Sequence, residues 1–467
     1  MTIDDLVKFD NANAKYAPHA KNILNNIVSG NFRYAESSSR TLENISAKIS
    51  NVCRKIKQNC GMTPRPVQVM TVLRLADDIL NDHGSIAQVK TGEGKSFIIA
   101  VLSVVLAQFG HKMDIVTSTE ELAKRDLENQ KKYYDLFGVS SGVLTRGTGN
   151  KDSRESNASE ADKFNLEALN QSIVYSTNSN FEFVFLHGIF KNKPLRTRPY
   201  DVVVVDEIDN MLLDQSMSPA ILSNAFPTKK AKEIFDTVYK LKNCDFRQII
   251  SSVRKFFPDC EVPEFTIQML QFAAKRSDEL EKGKDYVLQG NEAVIIDPST
   301  GYIKPGSRWS NFIHEMVEIK EGLPLKAPSV SSCLVTQKSF FNMYNRITGL
   351  TGTIGEDDDK NLLIESYRTK VFYMPRHLPS KQIVTYKERA GNLRGIFEQI
   401  KAEVLERKAK GVPVLIIMQS NNLVDSFCKD YFPSARKITG VKLAEDKIAI
   451  REAGNVGAIT VATNAAG

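Results

Sequence analysis

The residues best equipped for chemistry are Thr91-Gly-Glu-Gly-Lys-Ser96, set between an apolar strand-like run and an apolar helix-like run. Gly92 and Gly94 let the backbone turn its N–H groups toward phosphate oxygens. Lys95 can reach the β- and γ-phosphates, and the Ser96 hydroxyl is a hard oxygen ligand suited to Mg²⁺. Thr91 and Glu93 complete the loop. Further along, Val202-Val-Val-Val-Asp206-Glu207 is an apolar strand that delivers two carboxylates at its end. Asp206 suits the metal, and Glu207 suits the base that orients an attacking water. A triphosphate loop with an acidic pair downstream predicts an NTPase that uses Mg²⁺.

Two other places gain meaning only from this context. Gln68 follows Pro64-Arg65-Pro66; alone it would be a surface glutamine, but at this place in a helicase-like motor a glutamine reads adenine. Thr351-Gly352-Thr353 alone would be a turn, and only its context lifts it. Where the common phosphate loop begins with glycine this chain has Val89, a departure that helicase-like motors tolerate.

These residues need a scaffold, and the pattern supplies one. Residues 86–89, 114–117, 139–144, 172–176 and 201–205 read as short strands, with helices over 96–108 and 120–136 between them. That alternation predicts a parallel sheet covered on both faces. Residues 1–60 read as polar and amphipathic helices with a break at Ser37–Ser39, and 145–162 read as a polar surface loop. After Ser223 the texture changes. Helical spacing interrupted by Pro258 and Pro263 gives way to a hairpin pattern around Gly290, which predicts an inserted domain. A second α/β pattern follows, with a helix over 393–410 and strands over 414–418 and 458–463.

At 467 residues the chain exceeds one ordinary core, so about two to four domains are expected. The net charge of +7 permits an acidic partner without requiring one. The six cysteines form no C-x-x-C pair, which argues against zinc and for reduced thiols in a cytosol-like compartment. No apolar run is long enough to span a bilayer, and no signal peptide is visible at the N-terminus.

Taken together, the motifs resemble those of the SecA family, the motor ATPases of bacterial preprotein translocation. The Thr91–Ser96 loop is similar to the family's phosphate loop, Leu122-Ala-Lys-Arg-Asp126 to its next motor motif, and Tyr175-Ser-Thr-Asn178 to its Tyr-Gly-Thr-Asn segment. Asp206-Glu-Ile-Asp209 resembles its Asp-Glu-Val-Asp stretch. Tyr286-Val-Leu, Asp297-Pro-Ser-Thr-Gly301 and Ile313-His-Glu-Met-Val-Glu-Ile-Lys-Glu-Gly322 resemble its preprotein-crosslinking domain and exit strand. Gly349-Leu-Thr-Gly-Thr353 resembles its coupling motif, and Thr460-Val-Ala-Thr-Asn-Ala-Ala-Gly467 the start of a motif in its second motor domain. Two stretches depart from the family: Arg65-Pro-Val-Gln68 where it has Phe-Asp-Val-Gln, and Asp214-Gln-Ser-Met-Ser-Pro219 where it has Asp-Glu-Ala-Arg-Thr-Pro.

The resemblance implies an α/β fold of two RecA-like motor domains, helicase superfamily 2 in type, with an inserted α+β crosslinking-like domain and an incomplete second motor domain. The expected boundaries are a helical region over 1–60, a first motor domain over 61–223 and 336–369, the insertion over 224–335, and the second motor domain over 370–467. It implies ATP bound with Mg²⁺ between the motor domains and unfolded or secretory polypeptide bound by the insertion. It further implies docking to a membrane translocation channel or anionic lipid, and a cytoplasmic protein peripheral to a membrane. The sequence stops at Gly467, just before an arginine that the resemblance leads one to expect, so ATP binding with slow turnover is anticipated. Two alternatives stand beside this reading: a nucleic-acid helicase, disfavoured by the lack of a basic stripe with interleaved aromatics, and a polypeptide-binding module without turnover.

Overall fold

Seven parallel strands make the frame on which the loop and carboxylates are mounted. Their spatial order is Thr369–Met374, Gly84–Val89, Arg346–Thr351, Val202–Asp206, Met113–Thr117, Ile173–Thr177, Ser141–Val143. The structure is a computed structural model that describes residues 1–29, 37–146, 164–190, 193–225, 230–258, 262, 264–298, 301–304, 306–325, 329–385, 392–441 and 443–463. The chain divides into two units: Met1–Leu222 with Ser331–Gln382, and Ser223–Val330 with Ile383–Gly467.

In the first unit, strand periodicity sorts side chains onto two cores. Val202 and Val204 pack on one face, Val203 and Val205 on the other, as the alternation of strand side chains requires. The helix after the phosphate loop, Lys95–Ala107, is buried without interruption from Phe97 to Leu106. A helix apolar on all sides needs cover on all sides. Helices Pro66–Leu80 and Leu42–Cys60 supply it, so the N-terminal helices belong to the core of this unit. Asn178–Phe190 and Asp357–Tyr367 help close the other face.

Two strands were not foreseen as part of this sheet. Arg346–Thr351, where the sequence reading has no strand, is a central strand between Gly84–Val89 and Val202–Asp206 and leads into the Thr351-Gly352-Thr353 candidate. Thr369–Met374, expected at the start of the second motor domain, pairs along its full length with Gly84–Val89 and buries Phe372 and Met374 in the first core. The boundary expected at residue 370 therefore falls inside a strand of the first unit, which continues to Gln382. Without this strand the phosphate-loop strand would be an open edge.

One buried charge network ties the returning chain to this sheet. Asp114, fully buried, accepts from Arg196 Nη1 at 2.5 Å and from the Tyr344 hydroxyl at 2.6 Å, and Arg198 lies 3.4 Å from its other oxygen. Arg198 also donates to the carbonyls of Gln171, Met113 and Ser172. Segments from both sides of the insertion thus share one carboxylate.

In the second unit, helices Ala231–Lys240, Phe246–Phe256 and Glu264–Glu279 pack with Ile313–Lys320 around Phe235, Ile249, Leu270 and Met316. The expected hairpin is present as Tyr286–Gln289 against Glu292–Ile296, extended by Ile303–Lys304. The segments that enter and leave the insertion, Pro219–Ala225 and Ser329–Thr336, pair as a two-stranded sheet. The C-terminal part has a parallel sheet in the order Val414–Ile417, Ile459–Ala462, Arg436–Ile438, with helix Leu393–Ala409 packed on it. It meets the insertion directly: the Asn421 N–H donates to the Gly283 carbonyl at 3.1 Å, and Asn422 Nδ2 to the Lys282 carbonyl at 2.7 Å. Among the described residues no helix is long and apolar enough to cross a membrane. Most of the loop expected over 145–162, and the final residues 464–467, lie outside the described residues.

The Asp114 network yields a stability prediction. Asp114→Ala strands two buried guanidinium groups and is expected to destabilise the first unit by about 3–5 kcal/mol, read as a lowered urea midpoint. A loss within ~0.5 kcal/mol, the range of ordinary surface changes, would show that the network is not integral to the fold.

Candidate functional site

The phosphate loop takes its shape from two glycines and a glutamine. Gly92 and Gly94 both have positive φ, and Gly94 in the left-handed region caps helix Lys95–Ala107. A Cβ at Gly94 would sit 2.5 Å from Gln68 Nε2, so both its conformation and its neighbour demand glycine. Gln68 stands in the first turn of helix Pro66–Leu80, where its Oε1 accepts the Arg65 N–H at 2.9 Å and its Nε2 donates to the Glu93 carbonyl at 2.8 Å. Both ends of the amide are engaged. The adenine-reading candidate therefore also fastens the loop to the preceding helix. The Glu93 side chain, buried, pairs with Arg65 at 3.3 Å.

The acidic pair lies at the end of the strand Val202–Asp206. Asp206 ends the strand Val202–Asp206 and, with Ser96, lines a small cleft shared with Thr117, Asp126, Gln130 and Tyr175. Asp206 Oδ1 and Gln130 Oε1 are enclosed and have no hydrogen-bond partner among the described residues. Enclosed, unpartnered oxygens beside a serine hydroxyl suit a hard divalent cation that retains water ligands. No cluster of three or more His, Cys, Asp or Glu side chains competes as a metal cage among the described residues. Mg²⁺ held by one carboxylate, one hydroxyl and substrate phosphates needs none. Asp126 and Gln130 are the cleft's unforeseen members; the sequence signal was the Leu122-Ala-Lys-Arg-Asp126 motif, to which no chemistry had been attached.

Glu207 adopts φ +62°, a left-handed conformation that costs a non-glycine residue free energy, and donates its N–H to the Leu350 carbonyl at 3.1 Å. The surrounding strands hold this turn in a strained shape, which fixes where the carboxylate lies relative to Asp206. Burial raises the pKa of both carboxylates. For Asp206 the nearby Lys95 cation opposes that rise while Glu207 and Asp126 reinforce it, and the balance is pushed up to about 6. Glu207 moves in the same direction through burial, again opposed by Lys95, with Asp209 and Asp126 adding to it.

The Thr351-Gly352-Thr353 candidate is brought to the same place because its strand lies between those bearing the loop and the carboxylates. Asp209 holds it: the Thr351 hydroxyl donates to Oδ1 at 2.9 Å and the Thr353 hydroxyl to Oδ2 at 2.7 Å. The Ile354 N–H continues to Gln88 Oε1 at 3.0 Å, on the strand that feeds the loop. At Gly352 an added Cβ would lie 3.0 Å from Thr91 Oγ1 and 3.8 Å from Lys95 Nζ. The glycine thus marks a close approach of this segment to the loop. The role of Asp209 was not predicted, although its motif was; only the pairing of distant strands exposes it.

Comparison with known proteins places the chain in a family. The family model described as "SecA DEAD-like domain" matches residues 5–361. The chain is 30% identical over 472 aligned residues to the protein translocase subunit SecA of Campylobacter lari, covering 92% of this chain and 52% of that protein. It is 28% identical over 426 residues to the subunit of the same name from Clostridium botulinum (strain Okra / Type B1), covering 84% of this chain and 48% of that one. The chain therefore spans about half the length of these relatives. Among solved structures, S. cerevisiae Dbp5 bound to RNA and ADP BeF3 is similar at 11% identity and a TM-score of 0.42, over 91% of this chain and 76% of that one.

The electrostatics predict a pH signature. Asp206 keeps its proton to higher pH in the folded protein than its ordinary value of 3.8 allows in the unfolded chain. The metal-free fold therefore loses stability as pH rises from about 4 through about 6, and remains at the lower level above that window. Asp206→Asn cannot ionise. In chelator it should melt higher than wild type at pH 8, with the gap closing as pH falls toward 4, by differential scanning fluorimetry. A gap that is constant with pH would contradict the assignment.

Proposed function

The chain belongs to the SecA family, and on that premise we propose that its first unit is an ATP-hydrolysing motor whose turnover is coupled to handling of unfolded polypeptide. The observation that carries this reading is the enclosed Asp206 Oδ1, unpartnered among the described residues, in a cleft shared with Ser96 and within the field of Lys95, with Glu207 held in the adjoining turn. Backbone N–H groups of the loop and Lys95 bind the triphosphate. Ser96 and Asp206 would hold Mg²⁺, which neutralises charge on the β- and γ-phosphates when bound. Glu207, whose pKa burial raises, orients water and accepts its proton. We assign the adenine contact to Gln68, which would exchange its bond to the Glu93 carbonyl for the base.

Asp209 and the Thr351-Gly352-Thr353 segment form the proposed coupling device. Movement of the loop or of Lys95 on hydrolysis presses on Gly352, and Asp209 carries that displacement to the turn containing Glu207. In the second unit, residues 224–335 are proposed to bind extended polypeptide. The hairpin at Tyr286–Gln289 and Glu292–Ile296 offers main-chain recognition that suits clients of differing sequence. The paired strands Pro219–Ala225 and Ser329–Thr336 are the proposed hinge. By family relationship the wider partners would be preproteins and a membrane translocation channel or anionic lipid, met by a cytoplasmic protein at the membrane surface.

Two experiments test these assignments. Lys95→Ala should weaken Mg-ATP binding by about 2 kcal/mol or more, whereas Glu207→Gln should retain nucleotide and lower hydrolysis by ~10²-fold or more. Equal affinity in wild type and Lys95→Ala by calorimetry would remove the site assignment. Photo-crosslinkers placed within residues 224–335 should capture an unfolded client. Capture of RNA alone, or client binding that survives removal of the segment, would exclude the polypeptide reading.

A further inference from the structure

Parallel pairing places a second basic residue beside the phosphate loop. The edge strand Thr369–Met374 runs in register with Gly84–Val89, Met374 opposite Val89. The two chains leave the sheet side by side, one into the phosphate loop and the other into Pro375-Arg376-His377. Nη1 of Arg376 donates to the Thr91 carbonyl at 3.2 Å. All of these residues belong to the first unit.

The charge pattern around the loop is uneven. Arg65 is matched by Glu93, and Lys95 acts on Asp206 and Glu207. Arg376 has no carboxylate partner among the described residues, where its hydrogen bond goes to the neutral Thr91 carbonyl. A guanidinium held by a single carbonyl keeps its full charge and most of its five donors. In the same turn, His377 Nδ1 is enclosed and unpartnered among the described residues. A planar, multiply donating cation at the mouth of a phosphate loop is matched to phosphate oxygens. It also stands at the carboxyl end of a parallel sheet, where ligands of such folds bind.

We propose that Arg376 is a nucleotide-phosphate ligand supplied in cis: it holds the Thr91 carbonyl when the loop is empty and turns to phosphate oxygens when nucleotide is seated. The proposal rests on the reading of the loop as an ATP site. It gives the first unit a phosphate-binding arginine of its own, as some other NTPases have in cis. The sequence reading passed over it because Pro375-Arg-His lay in a stretch assigned to the second motor domain.

Substitutions at Arg376 separate charge from anchoring. Labelled ATP and ADP are titrated against wild type, Arg376→Ala, Arg376→Gln and Arg376→Lys, with Lys95→Ala as the control and melting temperatures without nucleotide to verify folding. Gln can still donate to the Thr91 carbonyl but carries no charge. The proposal expects Arg376→Ala and Arg376→Gln to weaken both nucleotides by about tenfold, and Arg376→Lys to recover part of the loss. Wild-type affinity in Arg376→Gln would make Arg376 a loop anchor only and overturn the proposal, as would wild-type affinity in Arg376→Ala. Failure of the wild type itself to bind either nucleotide would remove the underlying ATP reading instead.

Discussion

A parallel sheet cannot be made from strands that simply turn back on themselves; each must return over a crossover, and every strand then ends at the same edge. In the first unit that constraint does most of the functional assembly. The phosphate loop follows Val89, the acidic pair ends Val202–Asp206, the Thr-Gly-Thr segment ends Arg346–Thr351, and Arg376 follows Met374. Residues separated by hundreds of positions meet because their strands are neighbours that point one way. The insertion can be long without disturbing the site, since the chain re-enters the sheet at Arg346, held there by Asp201 and by the Tyr344–Asp114 contact.

The sheet edge also sets the electrostatics. Strand ends buried on both faces hold Asp206 away from water, and Lys95 works against the proximity of Glu207 and Asp126. A carboxylate in that condition is poorly satisfied on its own and well suited to a cation. The same burial that costs the protein stability would favour a cationic ligand at Asp206. Glu207 adds a backbone cost through its positive φ, fixed by the bond to the Leu350 carbonyl. Both costs fall on adjacent residues, the pattern that functional sites show when they break local rules.

Much of this was legible in the sequence. The strands near 86, 114, 172 and 202, the loop helix and the hairpin at Gly290 all carry periodicity or turn chemistry that local reading can detect. The loop and the Asp206–Glu207 pair were legible for the same reason, because each is contiguous. What escaped was non-local. Arg346–Thr351 is rich in Thr and Gly and lies beyond the insertion, so nothing nearby marked it as a central strand. Thr369–Met374 looked like the start of the next α/β pattern because partner choice, not propensity, decides which sheet a strand joins. Asp209 and Arg376 drew no role for a related reason: their partners, Thr351 with Thr353 and the Thr91 carbonyl, are adjacent only through strand pairing. Gln68 was read as an adenine contact, and its hold on the Glu93 carbonyl was not foreseen.

The central claim is that loop, carboxylates and coupling segment form one nucleotide-responsive site. Hydrogen–deuterium exchange of the intact chain, with and without a non-hydrolysable ATP analogue and Mg²⁺, tests it most directly. The account predicts that the ligand slows exchange together in the segments around 91–96, 206–209 and 351–353. Protection of the loop with no change at 206–209 and 351–353, or no protection of any of them at saturating ligand, would contradict it.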